Sequence, residues 1–173
     1  MGFAYVSSED RGAVDKLLAA FAERCLADGV AVTGIVQTNT PRPKSHRCDM
    51  DVRVLPDGPV IRISQDLGPE ATGCALNPAA LESAVLEVER RLSGDSAVLI
   101  VNKFGKHEAE GKGFRDLIAE AHALDVPVVV GLNGLNAAAF QAFAGGLAEQ
   151  VPADLDALAD WLARSRATAQ DVA

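Results

Sequence analysis

Residues 95–116 read DSAVLIVNKFGKHEAEGKGFRD, and the fold turns on how this stretch divides. The apolar run at 97–101 is short and β-branched, and it lacks the alternation of a strand wetted on one face. It reads as a strand buried on both faces. Polar residues follow at once, with Asn102, Lys103, Lys106, His107 and Glu108 grouped around Gly105 before a helix begins near Lys112. In an open parallel sheet the C-terminal ends of the strands face the ligand crevice, so this cluster is the first place to look for a site.

Working outward, residues 3–7 (FAYVS) form a short strand. Residues 13–27 place Val14, Leu17, Leu18, Phe21, Ala22, Cys25 and Leu26 at helical spacing, and Gly29 stops that helix. Residues 30–37 (VAVTGIVQ) return as a second strand, which 38–41 (TNTP) should break. Strand, helix, strand is the unit of a parallel sheet. The loop 41–49, PRPKSHRCD, carries two prolines that deny it a helix or a central strand. Residues 50–64, MDVRVLPDGPVIRIS, alternate about Pro56-Asp57-Gly58 and predict a β-hairpin at the sheet edge. After the glycine-bearing loop 66–76, Asn77-Pro78 opens a helix to about residue 92. Beyond the central strand come a helix at 113–124, a strand at 126–132, a short helix capped by Asn136 through 143, a brief strand at 149–151 and a helix at 154–164. That last helix buries Leu155, Leu158, Trp161 and Leu162.

The expected architecture is one α/β domain over 1–166 with a mostly parallel sheet between two helical layers, followed by a frayed tail at 167–173. A chain of 173 residues, 49% of them hydrophobic, supports one sizeable core. No apolar run nears the roughly 20 residues that span a bilayer, and the MGFAYVSSEDRG start lacks a signal-peptide pattern, so a cytoplasmic location is expected. Cys25, Cys48 and Cys74 make an odd set without close pairing, which argues for free thiols. A formal net charge of −8 opposes broad nucleic-acid or acidic-membrane binding, yet leaves room for a local basic patch that takes a small anion.

The inferred crevice collects Ser7, Ser8, Arg11 and Gly12 from the first loop, Gln37, Asn39 and Thr40 from the second strand end, and Asn102, Lys103, Lys106 and His107 from the third. Most are hydrogen-bond donors beside a helix N-terminus, an arrangement suited to an oxyanion. The plainer reading is that the serines cap the helix and the lysines are solvated. Arg42, Lys44, His46 and Arg47 concentrate charge in the proline loop, which either closes over the anion or is simply a solvated loop. His46, Cys48, Asp49, Met50, Cys74 and His107 have the donor types of a soft-metal or oxo-metal site but weak spacing, so inert cysteines are the default. Asp66 and Glu108 are the carboxylates to weigh as acid or base; for Glu108, pairing with Lys112 four residues on is the simpler role.

The stretch 102–108 resembles the Asp-Glu-Ile-Gly-Lys-Met-Glu strand end of small P-loop nucleoside-triphosphatases of the THEP1 type. More closely, the strings TNTPRP, CDMDV, RISQDLG, NKFGK with EAEG, and GLN with LN and AAF resemble the bacterial DUF2478 family over nearly the whole chain. The resemblance implies a P-loop-type scaffold and gives a slight tilt toward molybdate. A working P-loop reads G-x-x-x-x-G-K-[ST]; aligned on Gly12, this chain has Ala13 for the lysine and Val14 for the hydroxyl, and Asn102-Lys103 for the acids that hold Mg²⁺. The resemblance therefore implies a scaffold without Mg-dependent NTP hydrolysis. The expected role is binding of a small anion, either a nucleotide or a tetrahedral oxyanion such as phosphate, sulfate, molybdate or tungstate. The alternatives are a protein-interaction or regulatory module, with a symmetric dimer through the hairpin edge, and residual nucleotide hydrolysis.

Overall fold

The computed structural model describes residues 2–43, 48–68 and 75–170. Its strands are β1 (Phe3–Ser7), β2 (Val32–Pro41), β3 (Cys48–Leu55), β4 (Val60–Arg62), β5 (Val98–Phe104), β6 (Val128–Leu132) and β7 (Glu149–Gln150). They form one sheet in the order β4-β3-β2-β5-β6-β1-β7. From β2 to β7 the pairs are parallel; at the edge β3 runs antiparallel to both its neighbours, β2 and β4. The sheet is thus mixed and mostly parallel, as the sequence predicts, with its antiparallel ribbon at one side.

Alternation along the buried strands divides the interior in two. Leu99 and Val101 of β5 join Val128 and Val130 of β6 on one face, under α2 (Pro78–Glu89), α4 (Arg115–Ala123) and α5 (Ala137–Ala144). Val98 and Ile100, with Val129 of β6, turn to the other face, under α1 (Ala13–Ala27) and α6 (Leu155–Gln170). A strand between two helical layers must be apolar at every position, and that is why 97–101 shows no alternation in sequence. Among the described residues no helix is long and apolar enough to cross a membrane.

Several boundaries differ from the sequence reading. Residues 38–41 do not break β2: Thr38, Asn39, Thr40 and Pro41 pair with Asp51, Met50, Asp49 and Cys48. β2 stays beside β5 only over Val32, Thr33 and Gly34, then leaves it and continues with β3 as a two-stranded arm. Thr38, Asn39, Thr40 and Pro41 of that arm are exposed, which suits polar side chains, whereas Ile35, Val52 and Val54 nearer the sheet pack under α2. Cys48 and Asp49 consequently belong to a strand, and the edge ribbon begins before residue 50. β5 runs to Phe104 and so includes Asn102, and a single helical turn, α3 (Lys106–Ala109), follows it. Asn77 caps α2 as expected, its Oδ1 accepting from the Ala80 amide at 3.2 Å. Before α5 the side-chain acceptor is Asn133, which takes the Asn136 amide; Asn136 makes no cap of its own. α6 continues to Gln170, well past residue 164.

Candidate functional site

A cleft of about 820 Å³ opens at the C-terminal ends of β1, β2, β5 and β6. Its wall on one side is the loop from Ser8 to Gly12, which turns the chain from β1 into α1. Gly12 sits at φ 78°, a left-handed conformation that costs a residue with a Cβ, and places the first turn of α1 against the sheet. The opposite wall is the β2–β3 arm, with Gln37, Thr38, Asn39, Cys48 and Met50. Asn102 and Lys103 form the floor and rim at the end of β5.

Of the residues picked from sequence, Ser8, Arg11, Gly12, Gln37, Asn39, Asn102 and Lys103 come together on this cleft. The others fall elsewhere. Ser7 accepts a hydrogen bond from Gln150 at 3.3 Å, and Thr40 lies further out on the arm opposite Asp49. Arg42 is neutralised within the ribbon, 2.5 Å from Asp49 and 3.5 Å from Asp66. Lys106 is 84% exposed, 3.7 Å from Glu110, and off the cleft. His107 meets Glu82 at 2.8 Å, and the same carboxylate oxygen takes the Gly113 amide, so the pair ties α2 to the segment before α4. Lys44, His46, Arg47 and Cys74 lie outside the described residues. Cys48 lines the cleft beside Met50, and no cluster of His, Cys, Asp or Glu able to hold a metal occurs among the described residues.

Neither acid–base candidate reaches the cleft. Asp66 is largely exposed and accepts from the Gly68 amide. Glu108 is buried and does not pair with Lys112: its carboxylate accepts from the Gly105 and Phe114 amides, at 2.8 and 3.2 Å, and so folds the loop between β5 and α4 around itself.

The residue that sequence reasoning missed is Asp15, in the first turn of α1. Its Oδ1 accepts from Asn102 Nδ2 at 2.8 Å and its Oδ2 from Asn39 Nδ2 at 2.6 Å. Gln37 closes the circuit, its backbone amide donating to Asn102 Oδ1 at 3.1 Å and its side-chain amide to Asn39 Oδ1 at 2.7 Å. One carboxylate and three amide side chains thus join α1, β2 and β5 in a ring. The signal was present: position 15 lies three residues before Leu18 and seven before Ala22, on the stripe that α1 buries. A carboxylate there has to find donors.

This donor set does not fit the Mg²⁺ of a P-loop nucleoside-triphosphatase. Val14 offers no hydroxyl, Lys103 brings positive charge to the end of β5, and both oxygens of Asp15 are engaged by amides.

A family model described as a protein of unknown function (DUF2478) matches residues 3–161. The chain belongs to the DUF2478 family. This DUF2478 protein is 32% identical over 148 residues to the molybdenum import ATP-binding protein ModC 2 of Bradyrhizobium diazoefficiens; the match covers 86% of this chain but only 16% of that much longer relative. Its fold is similar to the solution structure of a human cancer-related nucleoside triphosphatase, with a TM-score of 0.63, 17% identity and 87% of each chain covered. It is similar too to the crystal structure of THEP1 from Aquifex aeolicus, at a TM-score of 0.62 and 17% identity over 88% of this chain and 89% of that one. At that identity the likeness establishes a P-loop NTPase-like fold and nothing further. Within that scaffold this DUF2478 chain carries the Asp15 ring at the mouth of its first loop.

Proposed function

We propose that the protein is a binding module for a small anionic ligand, a nucleotide held without hydrolysis or a tetrahedral oxyanion such as phosphate, molybdate or tungstate, seated in the cleft between the first loop and the β2–β3 arm. One observation carries the reading. Arg11, Lys16 and Lys103 all border the cleft, and none has an ion-pair partner among the described residues; Arg24, Arg42, Arg53, Arg62, Arg90 and Arg91 are each paired, while Lys112, Arg115, Arg164 and Arg166, away from the cleft, also lack an ion pair among the described residues. In a chain of net charge −8, a lining whose three cations balance its three carboxylates, Glu9, Asp10 and Asp15, is less negative than the rest of the chain, which suits an anion. Glu9 and Asp10 share the rim, so the field favours a compact anion held by specific contacts over a large polyanion. The likeness to a molybdenum import protein supports molybdate as a member of the panel to be tried.

The test is calorimetry and thermal shift with molybdate, tungstate, phosphate, sulfate, ATP and GTP, alongside a phosphate-release assay with Mg²⁺. At least one anion should bind, Lys103→Ala and Arg11→Ala should each weaken it about tenfold, and Lys106→Ala should leave it unchanged. Binding by none of them, or binding indifferent to Lys103 and Arg11, would remove the reading; phosphate release would restore the enzymatic one. A second reading, a protein-interaction or regulatory module, is favoured by the outer edge of β4, which pairs with no further strand among the described residues and where Val60 is 65% exposed. Sedimentation of the full chain tests for the dimer that such an edge would give.

A further inference from the structure

Resting on that anion reading, we infer that Asp15 is a specificity-determining residue that turns polyphosphates away from the cleft and confines it to single tetrahedral oxyanions. A P-loop holds a polyphosphate along the first turn of its helix, with a metal facing the end of the neighbouring strand. In this chain that region belongs to the Asp15 carboxylate. Asn102 and Asn39 grip it from two different strands at 2.8 and 2.6 Å, so it cannot swing aside without breaking contacts to both. Asn102 is itself buried and committed on its other side to the Gln37 amide.

The consequence is a matter of charge. A triphosphate laid over the first turn brings several negative charges close to a fixed carboxylate, and each such pair at roughly 5 Å costs at least about tenfold in affinity where water is partly excluded. The donors that would answer those charges, the amides of Asn39 and Asn102, are already spent on Asp15. A single oxyanion lessens the conflict because it brings less charge toward Asp15 and can be met by Arg11 or Lys103, which line the same cleft, without lying along the first turn of α1. The carboxylate thereby acts as a resident anion at the helix terminus, where the helix dipole already favours it.

The experiment is calorimetry on the full chain with three probes, molybdate, inorganic phosphate and tripolyphosphate, at fixed ionic strength, for the wild type, Asp15→Asn and Asp15→Ser. The wild type should bind molybdate or phosphate at least about tenfold more tightly than tripolyphosphate. Asp15→Asn should strengthen tripolyphosphate about tenfold or more and the single oxyanions by a clearly smaller factor. Asp15→Ser covers the case in which the asparagine variant does not fold, and the wild-type ratio needs no variant at all. A wild type that prefers tripolyphosphate, or variants whose ratio is unchanged while oxyanions still bind, overturns the role of Asp15 and leaves the anion reading standing. Binding of no probe by any of the three proteins overturns both. Tripolyphosphate binding that appears only in the variants supports the inference directly.

Discussion

Asn102→Ala tests whether the ring of amides holds the site together. Asn102 is 1% exposed, donates to Asp15 at 2.8 Å and accepts from the Gln37 amide at 3.1 Å. Truncation removes a hydrogen bond to a charged group, worth about 1.5–3 kcal/mol, and strips the Gln37 N–H of its acceptor, worth about 1–3 kcal/mol. The cleft is open, and water entering the vacated space recovers part of this. The expected loss is therefore about 3 kcal/mol, which for a chain of this length lowers the melting temperature by about 6–12 °C. Urea unfolding with an unchanged m-value is the assay. In a double-mutant cycle with Asp15→Ala the two losses should fall short of additive by about 1 kcal/mol or more, since one bond is counted twice. A loss below about 1 kcal/mol, or additivity within about 0.5 kcal/mol, would refute the reasoning, because the ring would then not be a coupled unit.

Gly34→Ala should cost about 3 kcal/mol or more, read by urea unfolding or by loss of soluble protein: Gly34 has φ 127°, and a Cβ there would lie 2.0 Å from the Ile100 carbonyl oxygen. Glu108→Ala should destabilise by about 2–4 kcal/mol by leaving the Gly105 and Phe114 amides without their acceptor, and should leave anion affinity unchanged because Glu108 is away from the cleft. Burial pushes the Cys25 thiol up to about 11, so at pH 8 it is almost wholly the unreactive thiol; a thiol reagent should label half-buried Cys48 well before Cys25, and Cys25 should gain reactivity only as the pH nears its raised value or the chain unfolds.

Much of the fold was legible because burial leaves a local mark. The apolar run at 97–101, the helical spacing of Leu18, Phe21 and Cys25, and the Asn77-Pro78 start each reflect forces that act within a few residues. Boundaries failed where a partner strand overrode local preference. Thr38, Asn39, Thr40 and Pro41 read as a break, yet hydrogen bonding to β3 keeps them extended. The lysines showed the same limit. Lys103 and Lys106 look equivalent in sequence, but the strand continues through Phe104 and a helical turn follows, so Lys103 stays on the rim while Lys106 turns off it, 3.7 Å from Glu110.

The sequence by itself determined the class of the protein: a doubly covered, mostly parallel sheet of P-loop type, and a first loop without the lysine and hydroxyl that Mg-dependent hydrolysis needs. Those are statements about residue type and local period, which the chain carries along its length. Only the tertiary structure decided what stands in the cleft. Asp15, Asn39, Gln37 and Asn102 come from three elements whose separation along the chain says nothing of their distance, and they meet because β2 leaves β5 just where α1 begins to face the sheet. Whether a carboxylate is a solvated helix-terminal charge or the centre of a hydrogen-bonded ring depends on which donors the fold brings within 3 Å of it, and that is a property of the packing of strands and helices.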